Sequence, residues 1–211
     1  MSIGFVTLGT TPRVDLEQVI VNNGYEKFEI IGALDNLTQP EIEEISSISG
    51  NTPLFVRTNF GSYEIERDIL IPYIEKATNE LHQKGYNTAI LLCSAAFPVF
   101  SANIPVVLPT DIIEKMVKST KQQPVLVCVP IENQISFAQR KWSEAGIEAI
   151  VHTFNPLETT AKEIQYHIEK TGAKQVVLDC ISYSSELHLE LQQLSDTPIW
   201  NPLKQTLKHF K

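Results

Sequence analysis

The chain has 211 residues, of which 43% are hydrophobic and 20% are charged, a composition typical of a folded globular protein and not of a disordered tail or a fibre. Its 25 acidic and 17 basic residues give a net charge of −8, which disfavours nucleic acid and anionic membrane surfaces as partners. Three cysteines are too few, and odd in number, for a secreted disulfide framework, so we expect a reducing, cytoplasmic environment.

The N-terminal residues 1–9 lack the basic segment and the long apolar core of a signal peptide, and we interpret them as a first strand. Apolar runs elsewhere are short, such as residues 89–92, whereas a membrane-spanning helix needs roughly 20 apolar residues. We therefore expect no membrane association.

Short apolar runs rich in β-branched residues alternate with stretches of helical spacing, which is typical of parallel βα units. Strands are predicted at residues 3–8, 28–33, 54–58, 88–92, 106–108, 125–129, 149–152, 175–178 and 198–200. Helices are predicted at residues 63–84, 111–119, 135–145, 157–170 and 185–194. Because Pro72 would interrupt the first of these helices, its beginning is left open between Tyr63 and Leu70.

Two stretches of the chain, residues 3–24 and 125–146, share one layout: a strand, a loop that contains proline, a helix and a glycine. The pattern predicts an α/β fold of two pseudo-symmetric lobes, with mostly parallel sheets flanked by helices. We place the first lobe at residues 1–98 and the second at 99–200. A C-terminal helix at 201–211 is expected to pack back on the first lobe.

Two cysteines, Cys93 and Cys180, directly follow buried strands, one in each predicted lobe. Open α/β sheets place ligand chemistry at the carboxyl ends of their strands, where backbone N–H groups and helix N-termini favour thiolate. Facing each other across an interlobe cleft, one thiolate could remove a proton beside a carboxylate while the opposing thiol returns one. The alternative is that both are small buried hydrophobic residues, as Cys128 in the apolar run 125–129 is expected to be.

Short motifs spread over the chain resemble those of the AroM protein family, which is similar to the aspartate/glutamate racemase superfamily. They are LGTTPRVD at 8–15, GALD at 32–35, VRT at 56–58, LLCSAAFP at 91–98 and LDCISY at 178–183, together with Pro130, Gln134 and Trp142. The resemblance implies a cofactor-independent, racemase-type site with Cys93 and Cys180 as the catalytic pair. Superfamily chemistry also includes decarboxylation and cis–trans isomerisation, and its racemases often form homodimers.

The superfamily often has Thr or Ser after the first cysteine, and Ser94 fits this pattern. After the second cysteine it usually has a small residue and Thr, whereas Ile181 and Ser182 follow here. This sequence departs from the family pattern there, and Ser94 and Ser182 are the residues after the two cysteines that the resemblance implies for substrate binding.

Arg13 and Arg57 each follow a strand, and a guanidinium group suits a carboxylate ligand. Thr10, Thr11 and Asn59 could add hydrogen bonds to the same ligand. The alternatives are ion pairs at the surface for the arginines, and helix caps or turns for the polar side chains.

Two acidic residues also follow strands. Asp35 could orient a substrate amine or close a turn, and Asp179 could act in the site or be a buried acceptor that stabilises its lobe. A carboxylate so close to Cys180 would by itself oppose thiolate formation.

The five histidines show no metal-binding spacing, and the chain has no glycine-rich phosphate-binding loop. We therefore expect neither a metal nor another cofactor. The sequence predicts a cofactor-independent racemase, epimerase or related isomerase that acts on a small carboxylate. A non-catalytic module that binds or senses a metabolite remains the alternative, and thiol redox chemistry would need Cys93 and Cys180 close enough to bridge.

Overall fold

In the computed structural model, which describes residues 2–210, the chain forms two compact units, one ending at Leu108 and the other beginning at Pro109. Each unit is built on a four-stranded parallel sheet with helices between its strands. The predicted α/β class with two pseudo-symmetric, mostly parallel lobes is thereby confirmed. Among residues 2–210, no helix combines the length and apolar character needed to cross a lipid bilayer.

The first unit begins with a βα unit and contains an inserted hairpin. In chain order its elements are β1 (Ile3–Thr7), α1 (Val14–Asn22), β2 (Ile30–Gly32), α2 (Gln39–Ser46), β3 (Pro53–Thr58), β4 (Gly61–Glu66), α3 (Arg67–Gln83), β5 (Thr88–Leu92) and β6 (Val106–Val107). The parallel sheet has the order β2-β1-β5-β6, and β3 and β4 form a separate antiparallel pair. Strands β1 and β5 are buried throughout, which explains their uninterrupted apolar sequences.

The second unit repeats this plan without the hairpin. Its elements are α4 (Pro109–Thr120), β7 (Val125–Val129), α5 (Ile135–Glu144), β8 (Ala149–Thr153), α6 (Ala161–Thr171), β9 (Gln175–Leu178), α7 (Ser185–Leu194), β10 (Ile199–Trp200) and α8 (Pro202–His209). The sheet order is β10-β9-β7-β8, so that β7, β8, β9 and β10 correspond to β1, β2, β5 and β6.

The local sequence explains where several helices begin and end. Helix α6 begins after Thr160, whose hydroxyl accepts the N–H of Glu163 while the Glu163 carboxylate accepts the N–H of Thr160. It ends at Gly172, which adopts the left-handed conformation that glycine favours. The sequence predicts that this helix begins at residue 157, four residues before its observed beginning at Ala161.

All nine predicted strands are present within two residues of their predicted bounds. Residues 63–66, the first part of the predicted helix whose beginning the sequence leaves open, are strand and not helix. They belong to β4, in which Ile65 pairs with Leu54 and both side chains are fully buried. Ile65 fits a helical stripe and a strand face equally well, so spacing alone did not separate the two. Helix α3 therefore begins at Arg67, with Pro72 in its interior.

The division of the chain also falls later than residue 98, the predicted end of the first lobe. Residues 106–107 form β6, which pairs with β5 and extends the first sheet. Helix α8 packs against α4 within the second unit. The expected packing of residues 201–211 on the first lobe stays a prediction, and residue 211 lies outside the described residues.

Candidate functional site

Cys93 and Cys180 occupy equivalent positions in their two sheets. Ile3 pairs with Thr88 in the first sheet and Val125 with Gln175 in the second, so each cysteine lies five residues beyond an equivalent pairing position. The backbone turns at the two sites also match: the N–H of Cys93 donates to the carbonyl of Leu91 at 2.8 Å, and that of Cys180 to Leu178 at 2.7 Å. Both side chains are half-buried at the carboxyl ends of central strands.

The loop after Cys93 contacts the cysteine sulfur and is held by Arg67. The backbone N–H of Ala95 donates to Cys93 Sγ at 3.4 Å. Arg67, at the start of α3, donates to the carbonyl of Ala96 at 3.1 Å and so holds the same loop. Ser94 is buried beside it.

Cys128 differs from the other two cysteines in its position within a strand and in its burial. It lies inside β7, its side chain is completely buried, and burial, with a smaller contribution from the charge of Asp179, raises its pKa well above the ordinary value. The expectation that Cys128 is a buried structural residue is confirmed.

Three of the predicted ligand residues, Thr10, Thr11 and Asn59, form one hydrogen-bonded group with Asp35. The backbone N–H of Asn59 donates to Thr10 Oγ1 at 2.8 Å, and Asn59 Nδ2 donates to the carbonyl of Thr11 at 2.7 Å. Asp35 accepts the Thr11 N–H at 2.6 Å and the Thr11 hydroxyl at 2.8 Å, and it also accepts the N–H of Gly32. Asp35 therefore closes and braces the loop after β1, which is the turn role that the sequence left open.

The two predicted arginines converge on a carboxylate that the sequence reasoning did not single out, Asp15 in the first turn of α1. Arg13 binds it through Nε at 2.9 Å and Nη2 at 2.8 Å, and Arg57 binds it through Nη1 at 2.9 Å. Partial burial raises the pKa of Asp15, but its hydrogen bond and charge interactions with Arg13 and the charge of Arg57 outweigh burial and lower the pKa. Arg13 and Asp15 are only two residues apart, so the sequence could have suggested their ion pair, but not the contact between Asp15 and Arg57.

Seven of the predicted site residues belong to one edge of the first unit. Thr7 pairs with Leu92, so the loop after β1 and the Cys93 loop leave neighbouring strands at the same end of the sheet. The end of β3 joins this edge because the Thr10 N–H donates to the carbonyl of Arg57 at 3.3 Å. The seven are Thr10, Thr11, Arg13, Arg57, Asn59, Cys93 and Ser94.

In the second unit, Cys180 and the half-buried Ser182 lie in the loop between β9 and α7. Asp179 forms a buried ion pair with Lys141, with Nζ at 2.7 and 2.9 Å from its two oxygens, and it accepts the indole N–H of Trp142 at 2.9 Å. Asp179 is thus the buried, stabilising acceptor of the two roles considered for it. In the part of the chain that the structure describes, no three His, Cys, Asp or Glu side chains are grouped to hold a metal ion.

Comparison with solved structures shows the same fold in racemases and in a decarboxylase. An allantoin racemase from Klebsiella pneumoniae aligns with a TM-score of 0.64 and 12% identity over 98% of this chain and 84% of its own. Glutamate racemase from Campylobacter jejuni subsp. jejuni gives a TM-score of 0.62 and 14% identity over 100% of this chain and 84% of its own. Unliganded arylmalonate decarboxylase gives 0.63 and 10% identity, with coverages of 99% and 90%.

A search of curated protein sequences gave no significant match. The family model described as AroM protein, in contrast, matches residues 3–204, which is nearly the whole chain. The motifs identified in the sequence and the parallel sheet in each unit agree with this match, and the chain belongs to the AroM protein family.

Proposed function

We propose that the protein is a cofactor-independent racemase, epimerase or related isomerase of a small carboxylate compound, with Cys93 and Cys180 as its acid/base pair. The observation that carries the proposal is the equivalence of the two thiols. They share one position in two sheets of identical strand order, and each follows the same backbone turn. The racemases of the same fold among the structural neighbours support this choice of reaction class.

The chemistry requires one thiolate and one thiol on opposite faces of a single carbon. The thiolate takes the proton from the carbon beside the carboxylate, and its electron pair forms the new S–H bond while the C–H pair stays on carbon. The opposing thiol then protonates that carbon from the other face and is left as the thiolate. Atoms and charge balance without any further reactant, and the two cysteines exchange roles for the reverse reaction.

The residues at the edge of the first unit are suited to holding the substrate. Thr10, Thr11, Asn59 and Ser94 provide hydroxyl and amide groups at this edge, and Arg13 and Arg57, paired with Asp15, leave one net positive charge there. Ser182 would act from the loop that carries Cys180. A carboxylate beside the reacting carbon is the substrate feature that these groups bind best.

The test is hydrogen exchange in D2O, followed by NMR at the carbon beside the carboxylate, for a panel of amino acids, hydantoins and dicarboxylates. At least one compound should lose its proton signal and racemise. Cys93→Ser and Cys180→Ser should each abolish racemisation, since each lacks one of the two partners, and the double variant should reduce exchange by about 100-fold or more. Cys128→Ala, checked for folding by its melting temperature, is the matched control and should retain activity.

If no compound exchanges, or if exchange survives in the double cysteine variant, the proposed reaction is wrong. Stabilisation of the protein by a panel compound that does not exchange would instead support the alternative, a module that binds a metabolite without turnover.

A further inference from the structure

Asp15 accepts hydrogen bonds from two guanidinium groups, and together Arg13, Asp15 and Arg57 carry a net charge of +1. Arg13 contributes two nitrogens and Arg57 contributes one, all between 2.8 and 2.9 Å from a carboxylate oxygen. We refer to these three residues as the Arg–Asp–Arg group. A carboxylate that binds two arginines leaves the positive charge of only one of them for a ligand.

The two arginines of the group are not equivalent. Arg13 uses its remaining Nη1 to donate to Thr7 Oγ1 at 3.2 Å, and its side chain is only 9% exposed. The side chain of Arg57 is 31% exposed, and among the described contacts only its Nη1 is engaged by a side chain, so Nε and Nη2 remain available. Arg13 therefore braces the loop after β1, whereas Arg57 presents an open edge of its guanidinium group.

We propose that Arg57, and not Arg13, binds the substrate carboxylate, and that Asp15 is the positioning residue that holds Arg57 for this contact. The site then favours substrates with one carboxylate over dicarboxylates. The proposal rests on the proposed function and adds a substrate class to it.

Charge explains the preference for a single carboxylate. The 42% exposed side chain of Asp15 stays next to any ligand bound to Arg57, and it keeps its negative charge because its pKa is lowered. One ligand carboxylate neutralises the remaining charge of the Arg–Asp–Arg group. The second carboxylate of a short dicarboxylate would then be repelled by Asp15.

Arginine modification by phenylglyoxal tests this inference without relying on turnover. The adduct is measured at each arginine by peptide mass spectrometry in the intact protein. Arg57 should react, Arg13 should be protected by burial and by its three hydrogen bonds, and propionate should slow the reaction of Arg57 at lower concentration than succinate does. Arg13 reacting as fast as Arg57, or propionate failing to protect Arg57, would overturn the assignment.

Asp15→Asn tests the role of Asp15 in selectivity. Removing its charge should shift protection of Arg57 towards succinate, relative to propionate, by about fivefold. Asp111→Asn is the matched control, because Asp111 is an exposed residue in the first turn of α4 and its replacement changes the net charge equally. Asp15→Glu, which keeps the charge, should restore the preference for propionate. An equal ratio in Asp15→Asn and Asp111→Asn would contradict a role for Asp15.

Substitution of Arg57 separates failure of this inference from failure of the proposed function. Arg57→Gln should raise the KM of any exchanging monocarboxylate by about tenfold or more while kcat changes less. Exchange with an unchanged KM in Arg57→Gln would refute the assignment of Arg57 and leave the isomerase proposal intact. Protection of Arg57 by propionate, without exchange of any compound, would refute the isomerase and leave carboxylate binding by Arg57 intact.

Discussion

The ammonium group of Lys141 lies 2.7 and 2.9 Å from the two carboxylate oxygens of Asp179, the residue directly before Cys180. Both side chains are buried, with 4% and 6% of their surfaces exposed. A carboxylate without a partner at this position would disfavour a thiolate at the next residue. The ammonium group of Lys141 places a compensating positive charge beside it. The segment that follows β9 therefore has a buried, paired acid next to a candidate catalytic thiol.

Replacing Lys141 with Met should strongly destabilise the protein, because it leaves the buried charge of Asp179 without its partner. We expect a loss of about 3–5 kcal/mol in the free energy of unfolding, measured by urea denaturation. Lys118→Met is the matched control: Lys118 pairs with Glu114 at 4.0 Å with its side chain half exposed, and its replacement should cost about 1 kcal/mol or less. Equal losses in the two variants would contradict a structural role for the buried pair.

The sequence was sufficient to predict the features of the fold that depend on short segments. Residues 125–129 are apolar on both faces and are bounded by turns, and they form the buried central strand β7. The placement of Cys93 at a strand end followed from the same local reading. Residues 63–66 show its limit, because their strand conformation depends on pairing with β3 and not on their own spacing.

Partners distant in the chain could not be predicted in this way. Arg57 and Asp15 are 42 residues apart, and Lys141 and Asp179 are 38 residues apart. Both contacts depend on how separate elements pack within a unit, which no local pattern specifies. Arg13 and Arg57 could be proposed as binding groups from their chemistry alone. That Asp15 binds both of them, and so gives them different roles, could be seen only in the structure.

The three cysteines should differ sharply in their reaction with iodoacetamide. In the folded protein, the half-buried Cys93 and Cys180 should be alkylated, whereas Cys128 should react at least about 100-fold more slowly because it is accessible only after unfolding. The raised pKa of Cys128 lowers its thiolate fraction further. Peptide mass spectrometry gives the three rates, and guanidinium denaturation should make them similar. Rapid modification of Cys128 in the folded protein would contradict its position in the core.

Gly9 should be intolerant of any side chain, because a Cβ there would overlap the carbonyl oxygen of Arg57. This carbonyl also accepts the N–H of Thr10, so an added methyl group would push the loop after β1 away from the hairpin. Gly9→Ala should destabilise the protein by about 1–3 kcal/mol in urea denaturation. Ser62→Ala is the control, since exposed Ser62 pairs with Arg57 on the other strand of the hairpin and should tolerate the change. If Gly9→Ala left the free energy of unfolding unchanged, the loop after β1 and the hairpin could move apart without loss of stability.

His188 should make the stability of the protein depend on pH below neutrality. Its side chain lies buried in α7, and burial, together with the charges of Lys204 and Lys208 on α8, lowers its pKa to about 4. In the unfolded chain the pKa of histidine is about 6.5, so between these values the unfolded state binds a proton that the folded state does not. The free energy of unfolding should therefore fall as the pH decreases from about 6.5 to 4, by about 3 kcal/mol in total from this group.

His188→Gln should lose less stability than the wild type over that interval, whereas replacement of the exposed His82 by Gln should leave the profile unchanged. Parallel pH profiles for His188→Gln and the wild type would show that His188 can be protonated without unfolding.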